Sequence, residues 1–149
     1  MLKMKLINKT VALVITACTS INIVNSDQIQ VPNSVKRTIY NALLNCTTKD
    51  GRTISKEALD KIDPFHYPED VRKFLGEGYL CLMQKIGFQN DNGDLNPDVI
   101  RKRWVVVYGE PEWEKLRHCV VQKSAPWETA LELVKCQFVT SGIPENAFN

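Results

Sequence analysis

The sequence predicts an all-α fold: a compact bundle of about six short helices held by two disulfides. Three observations carry that expectation. Apolar residues recur every third or fourth position through successive segments, the period of a helix with one buried face. Proline and glycine fall between those segments, where helices start and stop. No segment alternates apolar and polar residues as a half-buried strand would. At 149 residues the chain is one domain in length, and it contains no repeat or low-complexity run.

Residues 1–26 read as a secretory signal peptide. Lys3, Lys5 and Lys9 precede the apolar run Val11–Cys18, and Val24 and Ser26 stand at positions −3 and −1 of a cut before Asp27. A membrane anchor is the rival reading. Thr16, Thr19, Ser20, Asn22 and Asn25 interrupt the run and leave it too short to span a bilayer. The whole chain has 19 basic and 17 acidic residues; without the three leader lysines the count is 16 against 17, a net of −1. That balance, with no basic patch, argues against nucleic acid and against an anionic membrane as partners. No later stretch is apolar enough for membrane insertion.

The domain is therefore expected at residues 27–149. Pro32–Cys46 reads as the first helix, with Val35, Ile39, Leu43 and Cys46 on one face. Asp50-Gly51 marks a turn, and Ser55 is a candidate N-cap for a short second helix carrying Leu59 and Ile62. Pro64–Tyr67 is a loop. The third helix follows Pro68, with Glu69 and Asp70 suited to its N-terminal dipole, and runs to Gly87. Leu75, Tyr79, Leu82 and Ile86 form its stripe, and Phe74 and Met83 widen it. Gly76 and Gly78 inside it cost about 1 kcal/mol each against alanine, so they either admit a close neighbour or weaken the helix.

Asn90–Asp94 is turn chemistry, and Asn96-Pro97 offers an N-cap and a first-turn proline for a fourth helix over Pro97–Tyr108. Val105-Val106-Val107 has strand propensity, which the Asn-Pro start and Gly109 stop outweigh. Pro111 opens a fifth helix with Trp113, Leu116, Val120 and Val121 inward and Cys119 one step off. The sixth runs from Pro126 to about Val139, with Trp127, Ala130, Leu131, Val134 and Phe138 together. The tail Thr140–Asn149 has no periodicity.

Cys18 leaves with the leader, and Cys46, Cys81, Cys119 and Cys136 remain. An even number in a secreted chain suggests two disulfides, and spacing leaves all three pairings open. Zinc would want CxxC or paired histidines, and neither spacing occurs. An enzyme would need a reactive constellation. The sequence has no GxSxG, HExxH or phosphate-binding glycine loop, and His118-Cys119 lacks the surroundings of a secreted phospholipase site. His66 and His118 read as surface or capping residues; a pH-dependent loop would have to use one of them. No catalytic residue, metal or cofactor is expected. Asn45-Cys46-Thr47 is formally a glycosylation sequon, expected to be mostly unused because a bonded cysteine sits at its centre.

What remains is a large apolar content, which either fills a solid core or surrounds an apolar cavity. Here the segments Gly78-Tyr79-Leu80-Cys81-Leu82-Met83-Gln84-Lys85-Ile86-Gly87, Asn92–Asn96 and Trp127-Glu128-Thr129-Ala130…Lys135-Cys136 carry a resemblance. They resemble the insect odorant-binding proteins, the pheromone- and general-odorant-binding family, and the likeness runs from the first helix to Cys136. Most members have six cysteines, with three residues between the second and third and eight between the fifth and sixth. At those spacings this sequence has Glu77 and Trp127. Both members of one family bridge are thus absent together, as in the four-cysteine "C-minus" members. The resemblance implies the pairing Cys46–Cys81 and Cys119–Cys136, and an unbridged junction between the third and sixth helices.

The resemblance further implies a secreted carrier of small hydrophobic molecules, in extracellular fluid, monomeric or weakly dimeric, with a membrane chemoreceptor as a further candidate partner. Its pocket would draw on the inward apolar side chains Phe74, Tyr79, Leu82, Met83, Trp104, Val107, Trp113, Leu116, Val120, Leu131, Val134 and Phe138. The competing class is a secreted helical signalling protein, cytokine- or hormone-like, acting through a receptor. It would share leader, disulfides and helices, but with longer helices.

Overall fold

The computed structural model describes residues 31–57 and 68–149. The leader, most of the second expected helix and the loop Pro64–Tyr67 lie outside the described residues. Within them the backbone forms five α-helices and one short 3-10 turn: α1 Asn33–Leu43, α2 Glu69–Lys85, α3 Pro97–Tyr108, α4 Glu110–Leu116, the turn Arg117–Cys119, and α5 Pro126–Ser141. The chain also turns helical at Lys56 and Glu57, just after Ser55. No β-strand occurs among the described residues. Isolated bridges between Thr47 and Thr53 and between Gln89 and Leu95 pinch two turns shut.

Local chemistry explains the helix ends. α2 stops in a Schellman arrangement: Phe88 N donates to Met83 O at 2.8 Å and Gly87 N to Gln84 O at 3.2 Å. That geometry needs a left-handed residue, and Gly87 supplies it at φ 79°. The Asn90–Asp94 turn closes through Asn90 N to Asp94 O at 2.9 Å and Asp94 N to Asn90 Oδ1 at 2.9 Å. α3 starts on Pro97, but Asn96 does not cap it with its side chain. Its Nδ2 instead reaches back to Gly87 O at 2.9 Å, binding the start of α3 to the end of α2.

Two boundaries differ most from the sequence expectation. α1 ends at Leu43, so Cys46 lies just past it, its amide on Leu43 O at 2.9 Å. The expected fifth helix ends early: α4 stops at Leu116, the 3-10 turn follows, and Val120 has left helical geometry at ψ 76°. The physical reason is competition for backbone donors. Val121 N bonds to Cys119 O at 2.9 Å, and Lys123 N bonds to the Thr129 hydroxyl at 2.9 Å. Helical i→i−4 bonds are thereby given up, and Val121 is exposed rather than inward.

The core is assembled from every described helix. Ile39 and Leu43 of α1, Leu75 and Met83 of α2, Ile100 and Trp104 of α3, Leu116 of α4 and Leu131, Leu133 and Val134 of α5 are essentially inaccessible. α2 against α5 is the most extensive helix pairing. The tail folds back onto this core, burying Ile143, Ala147 and Phe148.

Candidate ligand-binding site

The disulfides frame the interior. Cys46 is bonded to Cys81, with Cα atoms 5.6 Å apart, and Cys119 to Cys136, at 5.5 Å. The first ties the chain beyond α1 to the middle of α2. The second ties the 3-10 turn to the middle of α5. This is the pairing that the resemblance implied.

Between these bridges the candidate pocket residues come from four helices. Tyr79, Leu82 and Met83 of α2, Trp104 of α3, Leu116 of α4, and Leu131 and Val134 of α5 are buried together in one core cluster. Phe74, Trp113, Val120 and Phe138 are half-buried and pack against that cluster. Val107 is half-buried as well, and it is not among the side chains packed on the core. Its helical neighbour Val106 is 78% exposed, so this face of α3 turns outward. An aromatic group stands at the centre: Trp104 meets Phe88 edge-on with centroids 6.1 Å apart and lies 6.2 Å from Trp113.

Sequence reasoning missed several interior residues. Phe88 follows the Gly87 stop and lies outside the helical period, yet it is 1% exposed. The hydrophobic contact that accompanies a Schellman stop was the available signal. Leu133 lies off the expected stripe of α5, and Ile143, Ala147 and Phe148 sit in the aperiodic tail.

The polar groups around this interior mostly satisfy one another. Gln137 Nε2 donates to the Tyr108 hydroxyl at 2.7 Å, which donates to Gly142 O at 2.9 Å. Burial pushes the Tyr108 phenol up to about 12, even though the Gln137 hydrogen bond opposes the shift. Next to it Ser141 Oγ donates to Glu112 Oε1 at 2.6 Å. That bond, and then Lys115, hold the Glu112 carboxyl below its usual range. Thr129 accepts from Lys123 N and from Gln122 Nε2. The indole Nε1 of Trp104 and the amide Oε1 of Gln89 are buried and have no hydrogen-bond partner among the described residues.

His118 is exposed, and its Nδ1 faces Lys115 O at the end of α4, a capping position. Its Nε2 lies 3.4 Å from Cys136 Sγ. His118, Cys119 and Cys136 are thus close enough to suggest a metal cluster. Both sulfurs are committed to the bridge and are not thiolate ligands.

The junction expected to lack a bridge is also visible. Glu77 and Trp127 line one surface groove, with Leu80, Cys81 and Pro126 as its apolar floor. Across the same seam Arg72 reaches Glu128 at 3.1 Å and Glu132 at 3.5 Å and lies 5.6 Å over the Trp127 ring. No described helix is long and apolar enough to cross a membrane.

A family model described as the PBP/GOBP family matches residues 28–139. The chain belongs to this family, the insect odorant-binding proteins. PBP/GOBP proteins are binding proteins rather than enzymes, and they carry odorants or pheromones. No curated protein and no solved structure matches the chain. Among the described residues, helices without strands and two disulfides agree with membership.

Proposed function

We propose that this chain is a secreted carrier, cleaved after Ser26, that binds small hydrophobic molecules between its helices and moves them through extracellular fluid. The observation that carries the reading is the family match across residues 28–139. The interior supports it: apolar side chains converge from α2, α3, α4 and α5 on the Trp104 group, as a pocket for apolar ligands requires. The disulfides suit that role because they hold the helix ends while a guest moves among the side chains. Phe74, Trp113, Val120 and Phe138 would form the pocket's outer wall, and Tyr79, Leu82, Met83, Leu116, Leu131 and Val134 its inner wall. A membrane chemoreceptor is the partner to which such a carrier would deliver, and the carrier itself is monomeric or weakly dimeric.

An apolar fluorescent probe tests this. It should bind with micromolar affinity, roughly −8 kcal/mol. Long-chain alcohols, esters or aromatics should displace it and change the tryptophan emission. A broad panel that leaves the probe undisplaced would reject the carrier reading in favour of receptor-directed signalling.

A further inference from the structure

We propose that the indole N–H of Trp104 is the polar anchor for the internal ligand. The protein then prefers apolar molecules carrying a hydrogen-bond-accepting oxygen, such as an ester, aldehyde or ketone, over hydrocarbons of the same size. The inference rests on the carrier reading and deepens it.

Trp104 is 0% exposed, and its Nε1 has no hydrogen-bond partner among the described residues. An indole Nε1–H is a donor only, so an acceptor alone can complete it. Leaving such a donor dry inside a fold is costly, and buried polar groups are normally paired. The rings against Trp104 are Phe88 and Trp113. Phenylalanine at this position would remove the polar group at the cost of part of the packed volume.

Two interior hydroxyls are already engaged. The Tyr108 hydroxyl both accepts and donates, and Thr129 Oγ1 is shared among Lys123, Gln122 and Ala125. Gln89 spends its Nε2 on Gly93 O at 2.7 Å and Pro126 O at 3.1 Å; the atom left open there is an acceptor, the wrong polarity for an acceptor ligand. A lone buried water is a poor substitute, because it needs two to four polar partners and the flanking rings offer no acceptor. Trp104 is fully buried, so the partner we assign to it is a molecule held within the bundle.

Matched ligands read this directly. Octyl acetate and dodecane, equal in heavy-atom count, are titrated against a bound N-phenyl-1-naphthylamine probe in the mature protein and in Trp104→Phe. The wild type should hold the ester more tightly than the alkane. In Trp104→Phe the ester-to-alkane ratio should fall about tenfold, the worth of one buried hydrogen bond, while alkane affinity corrects for any change in packing. An unchanged ratio overturns the assignment. The indole ¹⁵N–¹H resonance of Trp104 in the unmutated protein gives a second readout that does not depend on the variant folding. It should move downfield with octyl acetate and not with dodecane, and an equal response to both overturns the assignment. If the probe itself fails to bind the wild type, the carrier reading falls and this inference with it. If probe and both ligands bind with no discrimination that Trp104→Phe removes, only the anchor falls.

Discussion

Two kinds of junction hold the helices of this protein, and they solve the same problem differently. At Cys46–Cys81 and Cys119–Cys136 the contact is covalent, and the chain around each bridge is short or irregular: a loop beyond α1, a 3-10 turn beyond α4. The α2–α5 seam, where the resemblance to six-cysteine members would put a further bridge, has none. There the backbones come close enough that a Cβ on Gly76 would stand 2.6 Å from the Trp127 ring and 2.8 Å from Trp127 O. Arg72 spans the same seam to Glu128 and Glu132 and covers the Trp127 face. Irregular segments cannot form a broad packed surface, so they depend on a bond. Two long helices can, and packing stands in for the bond.

The largest test of this comparison removes the bonds. Replacing Cys46 and Cys81 by serine should cost about 4 kcal/mol, and replacing Cys119 and Cys136 about 3 kcal/mol, following loop sizes of 35 and 17 residues. Denaturant unfolding of the two variants checks both the size and the order. Next comes the unbonded seam. Gly76→Ala gains about 1 kcal/mol in helix propensity. It must still lose about 2 kcal/mol net, because the new methyl meets a backbone oxygen and forces the helices apart. If the variant proves more stable than wild type, the close approach is not what holds α2 to α5.

The same seam accepts a sharper test. Glu77→Cys with Trp127→Cys should oxidise to a third bridge while both native bridges persist, since the backbone beside Glu77, at Gly76, closes directly on Trp127. The gain of up to about 4 kcal/mol is offset by the lost Trp127 packing, so thiol titration is a better readout than melting temperature. Two free thiols in a folded double mutant under mild oxidant would refute the alignment of Glu77 and Trp127 with the missing pair.

The smallest effect concerns a third seam, where Tyr108 of α3 meets Gln137 and the Gly142 carbonyl. The folded protein holds the Tyr108 proton more tightly than the unfolded chain, with its pKa raised from 10.0 to about 12. The contribution is therefore fully present below pH 10 and is lost as pH rises toward 12. Stability should decline across that window, and Tyr108→Phe should flatten the decline when unfolding is followed between pH 9 and 12.

What the sequence made legible follows from how local each signal is. α3 begins at Pro97 and ends at Tyr108 as its flanking Asn96-Pro97 and Gly109 require, and α2 ends where Gly87 allows a left-handed turn. The four cysteines paired as the family likeness implied, whereas their spacing alone left three choices. The residues that escaped are held by distant partners. The segment after Leu116 unwinds because Thr129, on another helix, takes the Lys123 amide. Phe88 and Phe148 are buried by tertiary contacts that no period announces. Val107 shares the apolar stripe of α3 in sequence but not its packing. Asn96 was readable as a cap by residue type, and its side chain went instead to Gly87.

The claim that matters most is that ligand enters the bundle rather than resting on it. An outer groove lined by Val99, Val106 and Phe148 is the natural alternative resting place. Intermolecular nuclear Overhauser contacts from a bound apolar ester to methyl-labelled protein discriminate between the two. The carrier account predicts contacts to Met83, Leu116, Leu131 and Val134, all buried in the described core. Contacts confined to Val99 and Val106 would contradict it.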